Sequence, residues 1–164
     1  VSAITVFLTA GGILALDRVT KHLADAALAP GASMPVFENI FHLTLVHNRG
    51  AAFGLLPDAA VFFIVVALVC IAAIAGAFWR PHLFTRLFGL RVTDSRVGMG
   101  LALILGGALG NLIDRLRHGY VIDFLDLRVW PVFNFADTAI TCGGLLIVLV
   151  LVRQMLSKDG PHTL

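Results

Sequence analysis

The sequence predicts an all-α membrane protein with four transmembrane helices, and three observations carry that prediction. The first is composition. Of 164 residues, 59% are hydrophobic and 13% charged, with a mean hydropathy of +0.93. Soluble domains average about 45–50% apolar and about 25% charged residues. The excess exceeds what one small core can hide, so part of it must face lipid. The second observation is that the apolar residues gather in four runs, at about residues 1–22, 59–79, 97–115 and 135–153. The third is an asymmetry of charge between the loops that join them.

The first run is apolar from Val1 to Leu16 and then meets Asp17 and Arg18. A cleaved signal peptide ending at Ala27-Leu28-Ala29 is the rival reading. Asp17, Arg18, Lys21 and Asp25 stand before that site and favour an uncleaved helix. The loop at 23–58 is long. Met34 to Val46 is rich in Val, Phe, Ile, Leu and Thr, which reads as one or two short strands. Gly50 to Gly54 suits a short segment lying on the membrane surface. The second span, Ala59 to Trp79, carries no charge. The third, from Val97, places Gly98, Ala102, Gly106 and Gly110 four residues apart, a stripe that lets helices approach closely. The fourth runs from about Phe135 to Val152 and contains one acid, Asp137. Asp137, Thr141 and Gly144 are expected on its inward face.

Arg80, Arg86, Arg91 and Arg96 crowd the loop between spans two and three against Asp94 alone, and Arg153 and Lys158 follow span four. Cationic short loops stay cytoplasmic. The expectation is therefore a single membrane domain over residues 1–164, with both termini and the middle loop inside and the other two loops outside. A net charge of +2 gives no reason to expect a nucleic-acid partner. Cys70 and Cys142 sit in apolar runs as packing residues. Without CxxC or HExxH, no zinc site is expected.

Polar groups in or beside membrane spans are functional candidates by default. Here they are Asp17, Lys21, Asn48, Asn111, Asp114, Arg115, Asp123, Asn134 and Asp137, and the topology gathers all of them near the outer face. Asp17 and Lys21 can pair at i, i+4. Two neighbouring carboxylates cannot both ionise easily, so such a pair shares a proton and can activate water. Spacing leaves the pairing open among Asp114, Asp123, Asp126 and Asp137, and each acid could instead cap a helix or balance an arginine. A small transporter or proton carrier would also use intramembrane acids, but would spread them through the membrane depth. A non-catalytic assembly subunit would not need two separate acids. The Gly-x-Gly-Asp of presenilin-type proteases is absent.

Four blocks resemble the lipoprotein signal peptidases (signal peptidase II). They are Asp17-Arg18-Val19-Thr20-Lys21, Asn48-Arg49-Gly50-Ala51-Ala52-Phe53-Gly54, Gly106 to Arg115 followed by Gly119 to Phe124, and Phe133-Asn134-Phe135-Ala136-Asp137. Their order covers nearly the whole chain. The resemblance implies a catalytic dyad of Asp123 and Asp137. It also implies supporting or substrate-binding roles for Asp17, Lys21, Asn48, Gly50, Phe53, Gly54, Asn111, Asp114, Arg115, Asn134 and Ala136. It further implies a small extracytoplasmic β-cradle with a surface helix, and a bacterial inner-membrane location. The implied reaction removes signal peptides from prolipoproteins, cutting before a cysteine that carries diacylglycerol. No metal or cofactor is expected. Membrane lipids, lipid-modified prolipoproteins and globomycin-like cyclic peptides are the implied partners, and a monomer is expected.

Overall fold

The computed structural model describes residues 2–50 and 59–158. Among the described residues four helices are long and apolar enough to cross a membrane: α1 (Ala3–Ala27), α2 (Ala60–Trp79), α4 (Ser95–His118) and α5 (Phe135–Lys158). A short helix, α3 (Pro81–Phe88), joins α2 to α4. Strands β1 (Ser33–Phe37) and β2 (Phe41–Asn48) follow α1, and β3 (Val121–Asp126) follows α4. The predicted four-span architecture with a small sheet is therefore present. The helices run further than hydropathy alone indicates. Polar residues prolong α1 to Ala27 and α4 to His118, because their side chains find partners inside the protein.

α4 is the central helix. Of its apolar span 72% lies inside the protein, against 11–22% for the other three. Glycine makes this possible on two faces. At Gly106 a Cβ would come within 2.7 Å of the Ala10 carbonyl on α1, and at Gly110 it would overlap the Asp17 carboxylate. At Gly100 it would meet the Gly143 carbonyl of α5 at 2.9 Å, and at Gly107 it would overlap the Ala136 carbonyl. The expected stripe thus faces α1, and a second stripe, Gly100 and Gly107, faces α5.

The inward face of α5 differs from the expectation. Ala136, Ala139, Gly143 and Val150 are buried, whereas Thr141 is exposed and Gly144 half-buried. Close approach selects small side chains, not polar ones, so the seam runs one residue aside from the predicted one. Asp137 lies at its edge.

The three strands form one antiparallel sheet in the order β1-β2-β3, with Val46 opposite Asp123 and Asn48 opposite Val121. It ties the loop after α1 to the loop after α4 and sets both at one end of the bundle. β3 was not foreseen, although Val121 to Leu125 carries the apolar and aromatic residues of a strand. α4 ends on Gly119 at φ 76°, a left-handed conformation that glycine adopts without strain. The turn there sends the chain straight into β3. After β3, Phe133 returns antiparallel to Leu125, exchanging N–H···O bonds of 2.8 and 3.0 Å. That return brings Asn134 and the start of α5 alongside Asp123.

Candidate active site

Asp123 sits in the middle of β3, 2% exposed. Each of its oxygens accepts a hydrogen bond from an amide: Oδ2 from Asn48 Nδ2 at 2.9 Å and Oδ1 from Asn134 Nδ2 at 2.6 Å. Asn48 is fixed in turn, because its Oδ1 accepts the Gly50 N–H at 3.0 Å. Burial, followed by the charge of Asp137, pushes the Asp123 carboxyl up to about 7, against the pull of Asn48 and Asn134.

Asp137 stands three residues inside α5, and its placement is a capping box. Asn134 Oδ1 accepts the Asp137 N–H at 2.9 Å, and Asp137 Oδ2 accepts the Asn134 N–H at 3.2 Å. Asn111 Nδ2 donates to Asp137 Oδ1 at 2.7 Å. Asn134, fully buried, therefore donates to both acids, through its side chain to one and its backbone to the other. Both acids line one cavity of about 390 Å³, which also takes in Asn48, Gly50, Asn111 and Arg115. Arg115 lies over the Phe63 ring of α2, 4.8 Å from its centroid. Among the described residues, no cation forms an ion pair with Asp123 or Asp137.

Behind this cavity lies a second cluster. Lys21, with no exposed side-chain surface, reaches Asp17 at 3.0 Å and Asp114 at 2.8 Å, and Arg18 reaches Asp114 at 2.6 Å. Two cations balance two acids. Lys21 Nζ also donates to Asn111 Oδ1 at 2.8 Å, which joins this cluster to the site. Each acid pins an element that carries a site residue. Asp17 accepts the Ala136 N–H at 3.1 Å at the start of α5, and Asp114 accepts the Ile122 N–H at 3.2 Å next to Asp123. Ala136 is wholly buried, with its backbone against Gly107 and its methyl group beside Gly110 of α4.

The structure thus gathers Asn48, Gly50, Asn111, Arg115, Asp123 and Asp137 around one cavity, with Asn134 just behind its wall and Asp17, Lys21, Asp114 and Ala136 deeper still. Phe53, Gly54 and the expected surface segment lie outside the described residues. Asp126 is not at the site. Burial acts to raise it, but hydrogen bonds from Thr44 and Arg128 outweigh that and hold it below the usual carboxylate range. Sequence reasoning missed the apolar walls: Phe63, Val66 and Cys70 from α2, and Trp130 and Phe133 after β3. Trp130, a tryptophan in a loop beside a membrane end, was the available signal.

The family described as Signal peptidase (SPase) II matches residues 9–153. The lipoprotein signal peptidase of Moorella thermoacetica is 46% identical over 149 residues, covering 90% of each chain. That of Desulfitobacterium hafniense is 47% identical over 152 residues, 91% of this chain and 94% of its relative. A solved bacterial membrane enzyme, determined by the in meso method, superposes with a TM-score of 0.81 at 27% identity, over 99% of this chain and 96% of the other.

Proposed function

We infer that Asp123 and Asp137 act as a catalytic pair, from one premise: the chain belongs to the signal peptidase II family. It is a multi-pass membrane protease that removes signal peptides from prolipoproteins. What the premise leaves open is which groups break the bond and where.

One observation carries the assignment. Asn134 holds both carboxylates at the wall of a single cavity, Asp123 accepts from two side-chain amides and Asp137 from an amide and a backbone N–H, and among the described residues no cation is paired to either. In that setting the pair holds one proton in common. Water between the acids gives a proton to the ionised carboxylate as its oxygen attacks the scissile carbonyl carbon. The protonated partner donates to the carbonyl oxygen. The tetrahedral diol then collapses, the C–N bond breaks, and the new amine takes a proton from the dyad. No acyl-enzyme forms.

The supporting residues act through position. Asn48, Asn111 and Asn134 orient the carboxylates. Asp17, Lys21 and Asp114 lock α1, β3 and α5 together behind them. Arg115 and Gly50 face the peptide, and Phe53 and Gly54 take a substrate-binding role. The apolar wall from α2 receives the signal segment, and the cut falls before a diacylglyceryl cysteine, whose acyl chains stay in the outer leaflet. Residues 1–164 work as one domain and as a monomer in the bacterial inner membrane, with termini inside. A globomycin-like cyclic peptide competes for the same cavity.

The test is cleavage of a diacylglyceryl prolipoprotein by purified enzyme in lipid. Asp123→Asn and Asp137→Asn should each lower turnover by about 10²–10⁴-fold while thermal unfolding still shows a folded protein. Near-normal cleavage by either variant rejects the pair.

A further inference from the structure

At the end of the bundle away from the sheet, α3 divides cleanly into two faces. His82, Thr85 and Arg86 fall on one. Leu83 and Leu87, with Phe84 and Phe88, fall on the other. Phe84 packs against the main apolar core and so anchors the helix, and its ring lies 4.9 Å from that of Phe88. Leu83, Leu87 and Phe88 remain 50–67% exposed, and Trp79 just before them is 84% exposed. A short helix with this division, docked at the end of a span, lies in the membrane interface with its apolar side toward the acyl chains.

The polar side is built up by the chain that follows. Gly89 ends α3 at φ 69°, and the next residues run back beneath it. Leu90 and Val92 are buried, 4% and 5% exposed, which turns the intervening Arg91 outward. Arg91 and Arg86 then line a cavity of about 540 Å³ with His82 and Thr93. Among the described residues no carboxylate pairs with Arg86 or Arg91. Asp94, the sole acid between α2 and Asp114, is turned to cap α4, its Oδ1 accepting from Arg96 and Val97 N–H.

We propose that this cavity binds the phosphate of an anionic glycerophospholipid, at the membrane face opposite the catalytic cavity. Two arginines line one cavity with no carboxylate paired to either among the described residues, and guanidinium forks match phosphate oxygens two at a time. The exposed leucines and phenylalanine beside them cover acyl chain, which a free phosphate lacks. A zwitterionic headgroup brings its own ammonium and is disfavoured by the same two arginines. The occupant is therefore a lipid of net negative charge.

The test uses the whole protein in vesicles of equal phosphatidylglycerol and phosphatidylcholine, followed by extraction in mild detergent and native mass spectrometry of retained lipid. The wild type should keep phosphatidylglycerol over phosphatidylcholine by about 30-fold, which is about 1 kcal/mol for each of two arginines near a charged surface. R86Q/R91Q should fall to the vesicle ratio, with prolipoprotein cleavage retained as the check that it folds. The single variants R86Q and R91Q should each lose part of the preference, which keeps the test open if the double variant is unstable. R96Q, on the same side but outside the cavity, should keep the preference. The proposal is overturned if R86Q/R91Q or both single variants retain it. It is equally overturned if R96Q loses as much, which would mean a diffuse field, or if inorganic phosphate displaces the lipid, which would mean a free-anion site.

Discussion

Two groups of acids lie side by side in this protein, Asp17, Asp114 and Asp123 buried and Asp137 half-buried, and they differ in what faces them. Asp17 and Asp114 meet Lys21 and Arg18 at 2.6–3.0 Å. Among the described residues, Asp123 and Asp137 accept hydrogen bonds from Asn48, Asn111, Asn134 and a backbone N–H, and neither forms an ion pair. A buried carboxylate paired with a cation has its charge balanced locally, and the pair goes into holding elements together. A carboxylate given neutral donors in place of a cation is left easier to protonate, as Asp123 is. The same side chain is therefore a bolt in one place and the proposed reagent in the other, and Asn111, bonded to both Lys21 and Asp137, is where the two meet.

That contrast can be broken most severely at the cations. Lys21→Met leaves Asp17 and Asp114 buried with Arg18 alone. Removing one member of such a cluster costs about 3–5 kcal/mol, so thermal unfolding in detergent should show a large loss or no folded protein. A variant of wild-type stability would mean that the cluster does not hold the fold. Asn134→Ala acts on the other group. It removes the α5 cap, at about 1–2 kcal/mol, and frees both acids. A misplaced catalytic group loses about 10²-fold, so cleavage should fall far more than stability does. Loss of stability with unaltered turnover per folded molecule would deny Asn134 its positioning role.

Titration sharpens the comparison further. The Asp123 carboxyl is raised to about 7 when folded, from an ordinary value of 3.8. The folded state thus binds this proton more tightly than the unfolded chain. Its contribution to stability is fully present below the unfolded value and is lost as pH rises through about 7. Wild-type unfolding temperature should therefore decline across that window, and Asp123→Asn should flatten the decline. Cleavage should fall on the same alkaline limb as the shared proton leaves. An Asp123→Asn curve that parallels the wild type from pH 5 to 8 would remove Asp123 as the titrating group.

The smallest effect is expected at the far edge of the sheet. Arg128 sits at φ 65° and pairs with Asp126 at 3.0 Å while 46% exposed. Arg128→Gly relieves a left-handed residue, worth about 1 kcal/mol, and loses a half-buried pair to Asp126, which still accepts from Thr44 and from the backbone N–H at position 128. The two should nearly cancel, with cleavage unchanged. A large loss of activity would extend the site to this loop.

Much of this was legible in the residues and some was not. The spans were plain because hydrophobic runs of that length have few other solutions. The Gly98 to Gly110 stripe was plain because spacing by four is a helical face. The i, i+4 pair of Asp17 and Lys21 was plain for the same reason. β3 was hidden because six residues in a loop rich in acids and arginines give a weak pattern, and its strand partner lies about 75 positions earlier. α3 was hidden because a run of arginines reads first as a topology signal. The α5 seam was misplaced because polarity was taken as the guide to its inward side, where side-chain size governs.

By itself the sequence determined that this chain crosses a membrane, where its helices start and how closely α4 can be approached, since all of these follow from local composition and period. Only the tertiary structure decided which acid meets a lysine and which meets an amide. Asp17 and Asp137 are 120 residues apart, yet Asp17 binds the backbone of α5 one residue before Asp137. Charge and hydrogen bonding act through a few ångströms of space, and no spacing along the chain encodes that distance.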